Sequence, residues 1–112
     1  AAYAISGLFD LAPLIPTSLN EKLGLDEAEA QALSPLFWPA PKGKTLDAIV
    51  GGDESSEFLR QSAAIVAAWG EDAVNTRYEE LDGANHFTVI APLVDPSSAM
   101  CERLKQLADA AR

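Results

Sequence analysis

The only histidine of the chain and two adjacent carboxylates follow two separate strand-like runs, each at the point where its run ends. The run "AIVGG", residues 48–52, is followed by Asp53 and Glu54, and "TRYEELDG", residues 76–83, leads to "ANHF", which carries His86. A carboxylate that accepts the ring N–H of a histidine fixes the tautomer of the ring and stabilises the imidazolium formed during proton transfer. These residue types in this order indicate a general base oriented by an acid.

Each of these side chains also has an ordinary structural interpretation. A lone histidine in a small domain is commonly exposed or simply hydrogen-bonded. Asp53 and Glu54 both precede a predicted helix, and negative charge is favourable at a helix N-terminus. The two interpretations are compatible, with one carboxylate for each role, so the residues alone leave both open.

Three apolar runs predict the strands that would position these residues. The first strand is expected at residues 3–9, the second in "TLDAIVGG" from residue 45, and the third in "NTRYEELDG" at 75–83. The order is strand, helical excursion, strand, helix, strand, helix, which predicts an α/β fold with parallel strands and right-handed crossovers. Ligands of such sheets bind beyond the carboxyl ends of the strands. We therefore expect the carboxylates and His86 to share one rim of the sheet.

Two longer helices are predicted after the second and third strands. One runs from about Glu57 to Trp69 and ends at Gly70, and the other opens at Asp95 and Pro96 as N-cap and first helical residue. Helical spacing places two sets of residues on one face each: Phe58, Ser62, Ile65 and Trp69, then Met100, Leu104, Leu107 and Ala111.

A proline-rich excursion, residues 10–44, separates the first two strands. Two short helices fit inside it, and Gly24 is a natural end for the first. Two capping boxes are expected, Ser18 with Glu21 and Asp26 with Glu29. Phe37 and Trp38 could line an acyl pocket, but we expect both to belong to the core, because that is the commoner place for large aromatic residues over a sheet.

Composition excludes several function classes. The net charge of −9 argues against nucleic acid or an anionic membrane surface as a partner, and no apolar run reaches the roughly 20 residues of a membrane-spanning helix. Cys101 is the single cysteine, so no internal disulfide can form, and a cytoplasmic location is expected. One Cys and one His cannot form a four-ligand zinc site, and no metal or other cofactor is predicted. Trp69 is expected to be a packing residue and Cys101 a half-buried, inert thiol.

Three runs of sequence resemble a known family. These are "SGLFDLAPLIPTSLNEKLGLDEAEAQALSPLFWPAP", "GGDESSEFLRQS" and "GANHFTVI", and they are similar to the C-terminal half of the arylformamidase (kynurenine formamidase) and esterase branch of the α/β-hydrolases. The "SxEFxRQS" and "NHF" pieces are the most specific, and the resemblance extends from Ile5 through the last helix. It implies that residues 1–112 are the C-terminal part of one α/β-hydrolase domain, with residues 10–44 covering the site.

The resemblance also implies roles for the residues at the predicted rim. His86 matches the general base of the family, and Glu54 falls at the position of the acid, where many members have Asp. Asp53 is the alternative acid, if the turn is displaced by one residue. The order acid then histidine is that of the hydrolase triad, in which the nucleophile comes first.

The nucleophile of the triad is missing from these 112 residues, because no G-x-S-x-G motif occurs. Ser6 is expected inside the first strand, and Ser55 and Ser56 beside the acid, so none is a plausible replacement. The resemblance therefore implies a fragment that is inactive alone, whose serine and oxyanion hole lie upstream. Its expected partners are the remainder of the hydrolase domain and a small acyl substrate, N-formylkynurenine or an aryl ester. A non-catalytic fragment or binding module is the alternative, and a homo-oligomer is left open.

Overall fold

The computed structural model describes all residues from 1 to 112 and contains one three-stranded parallel sheet. The strands are β1 (Ala2–Ile5), β2 (Thr45–Gly51) and β3 (Asn75–Leu81), in the order β1-β2-β3. β2 pairs with both neighbours and lies in the middle, with Ala48 opposite Ala4 on one side and Tyr78 on the other. The predicted α/β architecture with parallel strands is confirmed.

Four α-helices and three 3-10 helices connect or flank the strands. The α-helices are α1 (Asn20–Leu23), α2 (Glu27–Leu33), α3 (Ser56–Glu71) and α4 (Ala99–Ala110). The 3-10 helices are Ala12–Leu14, Pro35–Phe37 and Thr88–Val94. No helix is both long enough and apolar enough to cross a membrane.

The core lies between the sheet and α3, which packs against β2 and β3. Leu46 and Ala48 of β2 contact Ile65 of α3, and Trp69 packs at the edge of this cluster. Ile65 is fully buried, as the spacing of apolar residues along α3 predicts. The interpretation of Trp69 as a packing residue is confirmed.

The opposite face of β2 carries a buried ion pair. Asp47 is fully buried, and Arg103 of α4 donates to both of its carboxylate oxygens, from Nε at 2.6 Å and from Nη2 at 3.0 Å. Arg77 of β3 lies 3.6 Å from the same carboxylate. Since a buried carboxylate needs a partner, this contact ties α4 to the sheet.

Several predicted boundaries are wrong. β1 ends at Ile5, so Ser6 lies just beyond the strand, with a left-handed backbone φ of +50°. α3 continues through Gly70 to Glu71, because a glycine alone does not end a helix whose backbone hydrogen bonds continue. α4 starts at Ala99, where the Ser98 hydroxyl accepts from the Cys101 N–H.

Asp95 is not the N-cap of α4 because its side chain is hydrogen-bonded within the turn that precedes the helix. Its carboxylate accepts hydrogen bonds from the N–H and the hydroxyl of Ser97, at 2.9 and 2.7 Å. This local turn delays the start of the helix, and the turn forms because an aspartate side chain competes effectively for nearby N–H groups.

Cys101 is half-buried with a free thiol, as expected.

One predicted capping box of the excursion forms and the other does not. Asp26 accepts from the Glu29 N–H at 2.7 Å, and the Glu29 carboxylate accepts from the Asp26 N–H at 3.5 Å. The expected box of Ser18 with Glu21 is absent, because α1 begins only at Asn20 and its N-cap, Leu19, has no side-chain acceptor. Gly24 ends α1 in the left-handed conformation, as predicted.

Phe37 and Trp38 do not belong to the core. Their exposed fractions are 50% and 48%. The Trp38 indole N–H donates to the Ala32 carbonyl at 2.8 Å, which holds the ring against the end of α2 at the surface. The expectation of core packing for both residues is wrong.

Candidate active site

The turns that follow β2 and β3 are hydrogen-bonded to each other. Gly52 N–H donates to the Leu81 carbonyl and Asp53 N–H to the Ala84 carbonyl, both at 2.9 Å. A Cβ at Gly51 would collide with the Ala84 carbonyl, so only glycine permits this close approach. The "GG" pair after β2 therefore lets the turn after β3 come close enough for their side chains to meet.

Glu54 and His86 are in direct contact across these turns. The Glu54 Oε1 lies 2.7 Å from the His86 Nδ1, although the residues are 32 positions apart. The Glu54 carboxylate has no solvent exposure, whereas 51% of the His86 side chain is exposed. Because an ionised carboxylate can only accept, Nδ1 is the donor and Nε2 is left as the acceptor.

Asp53 does not take this place. Asp53 is exposed, and its hydrogen bond to the turn after β3 is donated by its backbone N–H rather than made by its carboxylate. Of the two carboxylates that the sequence leaves as candidates, the structure brings Glu54 to the imidazole.

The second carboxylate oxygen of Glu54 is held by two further donors. The Ser6 hydroxyl donates to Oε2 at 2.5 Å, and the Gly51 N–H donates to the same oxygen at 2.7 Å. Burial raises the pKa of the Glu54 carboxyl, but the hydrogen bonds from Ser6, Gly51 and His86 outweigh it and bring the pKa below its ordinary value. Glu54 is therefore ionised at neutral pH and suited to stabilise an imidazolium.

The loop that carries His86 is fixed by its neighbours. The Asn85 side-chain oxygen accepts from the N–H groups of Phe87 and Thr88, at 2.9 and 3.0 Å, and starts the 3-10 helix that follows. The centroid of the His86 ring lies 4.7 Å from that of the Phe58 ring, and the two ring planes are tilted by 36°. The Phe87 ring is arranged edge-on to the imidazole, with its centroid 5.9 Å away. These contacts orient the imidazole while leaving Nε2 facing open space.

An open cavity of about 410 Å³ adjoins the imidazole. Its lining residues are Asp53, Glu54, Ser55, Phe58, Asn85, His86 and Phe87. Residues 10–44 contribute none of this lining. That the excursion covers the site of a larger protein stays a prediction.

None of the serines considered as possible nucleophiles is hydrogen-bonded to His86. Ser6 donates to Glu54, and Ser55 precedes α3 as a residue whose side chain makes no capping bond. No group of three or more His, Cys, Asp or Glu side chains is arranged to hold a metal ion.

Known proteins are similar to this chain in sequence and in fold. Kynurenine formamidase from Danio rerio is 28% identical over 111 residues, which cover 95% of this chain and 38% of the relative. Kynurenine formamidase from Salmo salar is 28% identical over 100 residues, covering 84% of this chain and 34% of the relative. A solved structure from a Silicibacter species, described as a candidate thioesterase, superposes with a TM-score of 0.74 at 39% identity. It matches 89% of this chain and 36% of its own.

The chain resembles the arylformamidase and esterase type of α/β-hydrolase. It spans somewhat over a third of the length of the proteins it matches. No protein-family model matches the chain. The hydrolase resemblance and the predicted fold class are confirmed.

The sequence pattern does not predict the contacts of two residues of this site. It predicts Ser6 inside a strand and Phe58 on the packing face of its helix, whereas Ser6 donates to Glu54 and the Phe58 ring lies beside the His86 ring. The available signal for Ser6 was its position: a small polar residue at the end of an apolar run, on the same rim as the carboxylates.

Proposed function

We propose that the protein containing this chain is a serine hydrolase of the arylformamidase or carboxylesterase type. Its substrate is a formyl aryl amide, such as N-formylkynurenine, or a small aryl ester. The observation that carries the proposal is the 2.7 Å contact between the buried carboxylate of Glu54 and Nδ1 of His86. The names of the vertebrate relatives support the choice of substrate class.

In this mechanism His86 is the general base and Glu54 the acid of a triad. Glu54 holds the proton on Nδ1, so Nε2 accepts the proton of a serine hydroxyl as that oxygen attacks the substrate carbonyl. The imidazolium is stabilised by the ionised carboxylate and then protonates the leaving amine or alcohol. Water activated by the same nitrogen hydrolyses the acyl-serine. The serine and the oxyanion donors are proposed to lie in sequence that precedes residue 1.

A thioester substrate is the second candidate. The observation that favours it is the 39% identity to the Silicibacter protein, which is described as a candidate thioesterase. The proton transfers of His86 would be the same, and the leaving group would be a thiol. A non-catalytic scaffold is the third candidate.

The test uses the complete gene product that contains this chain. A fluorophosphonate probe should label one serine, and the protein should hydrolyse N-formylkynurenine or p-nitrophenyl acetate faster than acetyl-coenzyme A. The reverse preference would select the thioesterase candidate. Absence of both labelling and hydrolysis would reject the serine hydrolase and leave the non-catalytic scaffold.

A further inference from the structure

Three strand ends meet at the Glu54 carboxylate. Ser6 follows β1, Gly51 ends β2, and His86 lies in the loop after β3. Ser6 and Gly51 both donate to Oε2, while His86 takes Oε1. Rotation of the carboxylate out of its plane would break the two bonds at Oε2, so these donors fix the direction from which Oε1 meets the imidazole.

The backbone of Ser6 is strained in a way that its side chain explains. Its φ of +50° is in the left-handed region, which glycine adopts freely and other residues adopt at an energetic penalty. Its N–H donates to the Ile49 carbonyl at 2.8 Å, which extends the pairing of β1 with β2 by one residue. The chain then turns, and this turn aims the Ser6 hydroxyl at Glu54 rather than along the strand.

We propose that Ser6 is a positioning residue, which acts on the reaction through Glu54 by holding the acid in the orientation that the general base requires. This inference rests on the proposed function. Ser6 is buried and its hydroxyl donates to Glu54 rather than to His86, so it does not act as the nucleophile. It makes the only side-chain hydroxyl contact to the acid, and the backbone N–H of Gly51 supplies the other donor at that oxygen.

The decisive substitution is Ser6→Gly in the complete gene product. Glycine accepts the left-handed backbone, so this change removes the hydroxyl without adding strain. We expect kcat for the preferred aryl substrate to fall about tenfold with KM changed less than twofold, because a hydrogen bond to a charged group is lost. Ser97→Gly, at an exposed serine before α4, is the matched control and should leave kcat unchanged.

A double-mutant cycle separates action through Glu54 from a general structural effect. In a Glu54→Gln background, Ser6→Gly should change kcat by less than twofold, because the carboxylate that it orients is already absent. Equal losses in both backgrounds would overturn the positioning role while leaving the proposed function standing. Full turnover in Glu54→Gln and His86→Ala would instead overturn the proposed function, and this inference with it.

Discussion

The carboxylate of Glu54 is completely buried, yet it accepts a hydrogen bond at 2.7 Å from the half-exposed ring of His86. The carboxylate is thus held inside the protein by donors at the ends of β1 and β2, while the imidazole adjoins an open cavity. This asymmetry is what a proton-transfer pair requires, because the acid must keep one geometry and the base must be accessible to a reacting group.

Replacement of His86 should abolish hydrolysis without unfolding the protein. His86→Ala removes the proposed general base, and loss of one triad member lowers kcat by roughly 10⁴-fold or more. Because 51% of the His86 side chain is exposed, the substitution removes little packing. Turnover and circular dichroism of the complete gene product measure both effects. Near-normal turnover of an aryl ester would show that His86 is not the base.

The two neighbouring carboxylates should differ sharply in their effect on turnover. Glu54→Gln keeps the shape of the side chain but lets the amide donate toward the imidazole, which disfavours the tautomer needed for catalysis. We expect a loss of roughly 10³- to 10⁴-fold in kcat by analogy with other triad acids. Asp53→Asn is the matched control and should change kcat less than about threefold, because exposed charges interact weakly. The opposite ranking would make Asp53 the acid.

Stability should depend on pH through Glu54 in a defined direction. The folded pKa of Glu54 is depressed below 4.5, so folding favours the ionised carboxylate. Its contribution to the free energy of unfolding is complete above pH 4.5 and is lost as the pH falls through the lower folded value. Urea unfolding at a series of pH values measures this dependence. Below pH 4.5 the free energy of unfolding should fall less steeply with falling pH in Glu54→Gln than in the wild type. Identical slopes would mean that Glu54 titrates alike in the folded and unfolded chains.

Sequence patterns predicted the arrangement of the sheet because that arrangement follows from local rules. Strands that alternate with helices favour parallel pairing, and parallel strands bring the residues after Gly51 and Leu81 to one rim. The meeting of Glu54 with His86 at this rim is a consequence of that topology.

The remaining contacts of the site depend on geometry that no local pattern contains. The left-handed turn at Ser6 is set by where β1 stops pairing with β2, one residue after Ile5. The Phe58 ring meets His86 only because the turn after β3 folds back over the start of α3. The same holds for α4, whose N-cap is Ser98 because Asp95 is engaged by Ser97.

The pair of Asp47 with Arg103 should be the most sensitive ionic contact in the chain. Arg103→Ala leaves a fully buried carboxylate with only Arg77 at 3.6 Å, and breaking a buried pair destabilises a protein by about 3–5 kcal/mol. Arg112→Ala, which removes a largely exposed pair with Asp109, should lower the free energy of unfolding by less than about 0.5 kcal/mol. Urea denaturation midpoints of the two variants give the comparison. Similar midpoints would mean that Arg77 or water replaces the lost guanidinium, and that α4 is held to the sheet by its apolar residues rather than by Asp47.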